Sequence, residues 1–174
     1  MAVDTTTLTY LGPAAGVVAL LFSLYLASTI LRKSAGNARM KEIQEAVREG
    51  AFAFLKLEYQ VVAIFALLLT VVFAIVGMST GEAFWYYTAG GFVLGAILSA
   101  LAGFIGMWIS TKANARVAES ARHGIKPALA LAFRAGAVNG FAVVGLGILG
   151  LSGLYLLFKE MMPTRTVPLN LIGF

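Results

Sequence analysis

Residues 106–140 read GMWISTKANARVAESARHGIKPALALAFRAGAVNG. The stretch is a polar bend between two long apolar runs, and it carries five of the chain's thirteen Lys and Arg residues: Lys112, Arg116, Arg122, Lys126 and Arg134. Gly124 sits where a helix-ending glycine belongs. Arg122 and His123 fall in the preceding turn, where cations complement the helix dipole, and Pro127 suits the first turn of the next helix. The Ala-rich part from Ser110 to His123 therefore reads as a helical extension of the run before it. His123 reads as a capping or solvated residue rather than a catalytic base.

Working outward, the apolar runs on either side are two of four, at about residues 9–31, 59–76, 88–109 and 135–158. A bilayer crossing takes roughly 20 apolar residues at ~1.5 Å rise each, and none of the four runs holds an Asp, Glu, Lys or Arg. The 174-residue chain is 60% hydrophobic and 12% charged, with a mean hydropathy of +0.88. That is more apolar surface than one soluble core of this size can bury. The expected fold is all-α: a polytopic transmembrane bundle forming one membrane region over residues 1–174. The first run reads as a span rather than a signal peptide, because only Asp4 precedes it and Arg32 and Lys33 follow as a stop signal.

Charge sets the expected orientation. Six basic residues lie between the first two runs (Arg32, Lys33, Arg39, Lys41, Arg48, Lys56) and five in the bend above, but none precedes the first run or lies near Ser79 to Tyr87. The positive-inside rule puts both basic segments in the cytoplasm and the N-terminus outside. Phe84, Trp85, Tyr86 and Tyr87 then mark the outer interface, and Trp108 and Tyr59 lie near the inner one. The net charge of +5 is accounted for by these loops and calls for no nucleic acid.

Met40, Ile43, Val47 and Phe54 recur at helical spacing, so the first basic segment reads as a helix running into the second span, with a Lys41–Glu45 pair at i,i+4. Small residues four apart (Gly91, Gly95, Ser99 and Gly103, then Gly136 and Gly140) predict faces where helix backbones approach closely, and Asn139 predicts an interhelical polar contact. Residues 169–174, LNLIGF, read as the start of a fifth span after Pro163 and Pro168. The acids are scattered, and Glu42, Glu45 and Glu49 are interleaved with Lys41 and Arg48 in the manner of a solvated ion-paired face. With no cysteine and one histidine, thiolate and zinc sites are excluded. No phosphate-cradling motif occurs.

The residue order in both basic segments resembles the membrane-bound, ion-translocating inorganic pyrophosphatases. Glu49, Gly50, Ala51, Ala53, Phe54, Leu55, Glu58 and Tyr59 match that family's E-G-A-x-A-F-L-x-x-E-Y run. Gly106, Met107, Thr111, Ala113, Asn114, Arg116, Ala118 and Ala121 match its G-M-x-x-x-T-x-A-N-x-R-x-A-x-x-A stretch, and Ala132, Phe133, Gly136 and Gly140 its A-F-x-x-G-x-x-x-G. The resemblance covers about half the chain. It implies the N-terminal part of a longer, homodimeric pump that couples pyrophosphate hydrolysis to proton or sodium translocation, with Mg²⁺ as cofactor and K⁺ as a candidate second cation. It also implies that these helices form an outer ring around the working helices, within a cell inner membrane if the source is bacterial. The family's D-V-G-A-D-L-V-G-K motif is absent here, so the resemblance assigns this chain no catalytic, cofactor-binding or metal-ligating residue. Two other classes fit the composition: a self-contained four-helix accessory protein or small transporter subunit joined through its glycine faces, and an anchored module whose basic loops bind anionic lipid.

Overall fold

A computed structural model describes residues 5–161 and Phe174. Its elements are α1 (Thr5–Leu31), α2 (Ala38–Thr80), α3 (Ala83–Ala121) and α4 (Ile125–Met161). All four are long and apolar enough to cross a membrane, and no strand occurs among the described residues. The proposed start of a fifth span, apart from Phe174, lies outside the described residues.

Each helix contains one apolar run, and three of them extend far beyond it. α2 has 43 residues, about 65 Å at 1.5 Å per residue and twice the thickness of a hydrocarbon core. All its charges, Arg39 to Glu58, fall in the first half, so the second half suffices to cross. The first basic segment is thus helical and continuous with the second span, as its periodicity predicts. α2 begins on Asn37, whose side-chain oxygen accepts from the Met40 amide at 2.9 Å, and it ends on Gly81 at φ 70°, whose N–H bonds the Gly77 carbonyl at 3.0 Å.

The Gly106–Gly140 bend is helical on both sides of a three-residue turn, 122–124. The last winding of α3 tightens, with His123 bonding the Ser120 carbonyl and Gly124 that of Ala121. Gly124, at φ 123°, therefore stands two residues past the cap rather than on it, and Pro127 lies in the first turn of α4 as expected.

α3 lies between α2 and α4, while α1 packs chiefly on α4 and only lightly on α3. The main core joins Ala27 and Ile30 of α1, Ile109 and Ala113 of α3, and Leu131, Ala135 and Val138 of α4. Ser23 supplies a buried polar tie from α1 to α4, donating to the Val138 carbonyl at 2.8 Å, a contact worth about 1 kcal/mol. Phe22 meets Phe141 edge-on at 4.9 Å. Across the α2–α3 interface the Tyr59 hydroxyl donates to the Ala100 carbonyl, and Phe52 meets Phe104 edge-on. At the far end Trp85 stacks on Phe73 and Tyr87 meets Phe158 edge-on, so part of the aromatic cluster packs between helices while Tyr86 stays about half exposed.

The glycine faces need correction. Cβ atoms added at Gly136 and Gly140 would meet nothing within 4 Å, so these two do not bring helices together within this chain. α4 turns Val138, Ala142 and Gly145 toward α1, and the 136/140 face points elsewhere. The α3 series is also not one face: a four-residue step advances 400°, so each small residue drifts about 40° round the helix. Gly95 accordingly lies under the Phe174 backbone, whereas Gly103 lies under the Tyr59 hydroxyl of α2.

Candidate functional site

The charged half of α2, the end of α3 and the start of α4 gather at one end of the bundle, where Arg116 is the connecting residue. Its guanidinium donates to the Lys112 carbonyl at 2.7 Å, to the Gln44 side chain on α2 at 3.4 Å, and to the Leu31 carbonyl at the end of α1 at 3.4 Å. The last carbonyls of a helix lack intrahelical donors and carry the negative end of its dipole. One cation on α3 therefore terminates α1 and holds α2 beside it. Its Nε is buried with no partner among the described residues. No spacing rule joins residues 72 and 85 positions apart, so this contact was not readable; the only signal was Arg116's place in the motif stretch.

Three of the acids at this end are paired locally. Arg39 bridges Glu42 at 2.8 Å, Arg48 bridges Glu45, and Arg122 bridges Glu119 at 3.3 Å, all at i,i+3. The expected Lys41–Glu45 pair does not form; Glu45 pairs instead with Arg48, whose Nε and Nη2 both donate to its Oε1. His123 is exposed in the turn. Among the described residues no three His, Asp or Glu side chains converge where a metal ion could sit.

Two grooves flank α3 on the side away from α1. Between α2 and α3, Glu58, Tyr59, Ser99, Gly103 and Met107 line a space of about 330 Å³. Between α3 and α4, Ser99, Gly103, Asn139, Val143, Gly147 and Phe174 line one of about 410 Å³. A third space of about 290 Å³ continues the α3–α4 groove toward the charged end, past Ser110, Asn114 and Gly136. Asn139 leans on α3 at Gly106, where an added Cβ would lie 2.7 Å from the Asn139 Cγ. The predicted interhelical contact of Asn139 is therefore steric, a carboxamide against a bare backbone. No other described residue hydrogen-bonds that amide.

A profile of the family described as inorganic H⁺ pyrophosphatase matches residues 17–174. The chain is 41% identical over 162 residues to a K(+)-insensitive pyrophosphate-energized proton pump 2 of Moorella thermoacetica, a match spanning 93% of this chain and 23% of that protein. It is 44% identical over 153 residues to a K(+)-insensitive pyrophosphate-energized proton pump of Methanosarcina mazei, spanning 88% and 22%. A Clostridium tetani protein provisionally named a K(+)-stimulated pyrophosphate-energized sodium pump is 49% identical over 127 residues, spanning 72% and 18%. The chain thus covers less than a quarter of the length of the relatives it matches.

Proposed function

Because the chain belongs to the inorganic H⁺ pyrophosphatase family, we propose that it supplies the first membrane helices of a pyrophosphate-energised proton or sodium pump. In this reading it is scaffold, an outer layer of helices packed around those that bind pyrophosphate and relay the ion. The observation that carries it is that most of the chain matches the family while covering less than a quarter of its relatives' length. The chemistry agrees. An ion relay needs ionisable groups within the membrane, and the apolar halves of the four helices hold none.

Mg²⁺ would serve the whole pump, since a hard cation bridging phosphoryl oxygens takes clustered oxygen ligands. The residues described here do not fit such a site: Glu42, Glu45 and Glu119 are engaged by arginines and no acid cluster forms. We assign no catalytic step to them. The basic helix ends face the cytoplasm in this reading, where they support the hydrolytic site, and the N-terminus faces outward.

The test is reconstitution. The purified chain in liposomes with Mg²⁺ and pyrophosphate releases no phosphate by itself, and co-expression with the remaining portion of the pump restores hydrolysis. Mg²⁺-dependent phosphate release by the chain alone would overturn the assignment. Sidedness is read by single cysteines at Ser34 and Ser79 in this cysteine-free chain, labelled in intact cells with an impermeant maleimide. Only the Ser79 position should react.

A further inference from the structure

Resting on the scaffold reading above, we propose that the α3–α4 groove, from Gly95 and Gly147 down to Asn114 and Gly136, is the seat of a further membrane-spanning helix of the same pump. That helix would bear small residues and one hydrogen-bonding side chain at the level of Asn139. Three observations support this.

The first is chemical. Ser99, Asn139 and Gly140 are exposed on helix faces in the apolar part of the bundle. A carboxamide facing hydrocarbon is unfavourable, whereas a polar partner on an adjacent helix satisfies it. The groove on the other flank of α3, lined by residues such as Val62, Leu67 and Ile97, is apolar apart from Tyr59 and Thr70, whose hydroxyls already bond the Ala100 and Ala66 carbonyls, and it needs no protein cover.

The second is steric. The glycines of α4 divide into two classes. Gly145 and Gly150 are filled by neighbours already present, Leu20 and the Gly16 carbonyl for one and Leu98 and Phe174 for the other. Gly136, Gly140, Gly147 and Gly153 face open space, and the first three, at spacings of four and seven, lie on one stripe. Bare backbone on a membrane helix permits close approach, and within this chain nothing makes that approach.

The third is occupancy. Phe174 already lies in one end of the groove, its backbone over Gly95 and its ring against Gly150. Its position shows that the groove admits other chain against bare α3 and α4 backbone. The matched relatives carry more than three times this much sequence from which such a helix can come.

The test uses this chain co-expressed with the remaining portion of the pump as a separately tagged polypeptide. Gly147→Leu, in the lining of the groove, is compared with Gly153→Leu, which is also in open space but lies about 120° round α4. Gly147→Leu should cut co-purification about tenfold, the order of effect that overpacking a close interface has, and Gly153→Leu should leave it unchanged. Both variants should melt as the wild-type chain does when purified alone, because neither glycine touches another helix of this unit. In the same preparations a cysteine at Asn139 should become protected from a lipid-soluble maleimide only when the remaining portion is present.

Equal co-purification of the two variants, with Asn139→Cys still labelled, would show a lipid-facing groove and overturn this proposal while leaving the scaffold reading intact. A disulfide between two copies through Asn139→Cys would overturn it in favour of a second copy as occupant. Failure of the wild-type chain to co-purify at all would overturn both readings.

Discussion

Gly16 of α1 and Gly145 of α4 face each other backbone to backbone. A Cβ on Gly16 would lie 3.0 Å from the Gly145 carbonyl oxygen, and one on Gly145 would lie 3.1 Å from that of Gly16. The contact is reciprocal, and it sets how closely α1 can approach α4. With the Ser23 hydrogen bond one to two turns along, it fixes α1 on α4.

Gly145→Val should therefore loosen α1. A branched side chain must displace the α1 backbone, and overpacking of this kind costs typically ~1–3 kcal/mol. The check is a detergent melt beside Gly147→Val. The Gly145 variant should melt clearly lower and the Gly147 variant near wild type, because only the former has backbone in its path.

The Gly106–Asn139 contact gives a double-mutant test. Gly106→Ala alone should destabilise the α3–α4 interface, because the new methyl overlaps the carboxamide. Asn139→Ala alone should be mild. The pair together should recover most of the loss, with a coupling of ~1 kcal/mol or more, as expected for residues in direct contact. Strict additivity in chemical or thermal melts would contradict the contact.

Arg116 should not be replaceable by a simple charge. Arg116→Ala removes the donor to Leu31 and the tie to Gln44. Loss of a cation at a partly buried helix C-terminus costs ~1–2 kcal/mol. Arg116→Lys keeps the charge but cannot donate in two directions from one planar group, so it should recover less than half. Hydrogen exchange at the last turn of α1 reports this directly: faster exchange in both variants, fastest in Arg116→Ala.

Tyr59→Phe should weaken the α2–α3 pair by ~1 kcal/mol, the net value of one hydrogen bond, because the hydroxyl reaches the Ala100 carbonyl from the neighbouring helix. The helices themselves do not depend on the phenol, so helix content measured by circular dichroism should not change. A melt identical to wild type would mean that the carbonyl is equally well served without the phenol.

The sequence was readable wherever the governing physics is local. Asn139 was picked out because an amide in an apolar run must meet something, and it does meet α3 at Gly106. The helical continuation of the first basic segment followed from Met40, Ile43, Val47 and Phe54. Lys41–Glu45 shows the limit of helical spacing, which offers Glu45 two partners, Lys41 four residues before it and Arg48 three after, and the structure pairs it with Arg48. The glycine stripes are legible only in part, because spacing identifies a face but not what lies opposite it. Gly136 and Gly140 have the pattern and no neighbour; Gly16 and Gly145 have the neighbour and were not singled out.

The sequence by itself determined the four apolar helices, the charge segregated to their linked ends, and the family. Each depends on rise per residue, on the cost of charge in hydrocarbon, or on residue order, and none needs a partner. The tertiary structure alone decided which side of each helix meets which neighbour: α1 against α4 through Gly16 and Gly145, Arg116 across three helices, and a groove left open beside Asn139. In a soluble protein, burial of apolar side chains would have marked those faces beforehand. In a membrane a leucine is as well placed against lipid as against protein, so hydrophobic pattern carries no information about contact, and the packing of backbones decides it.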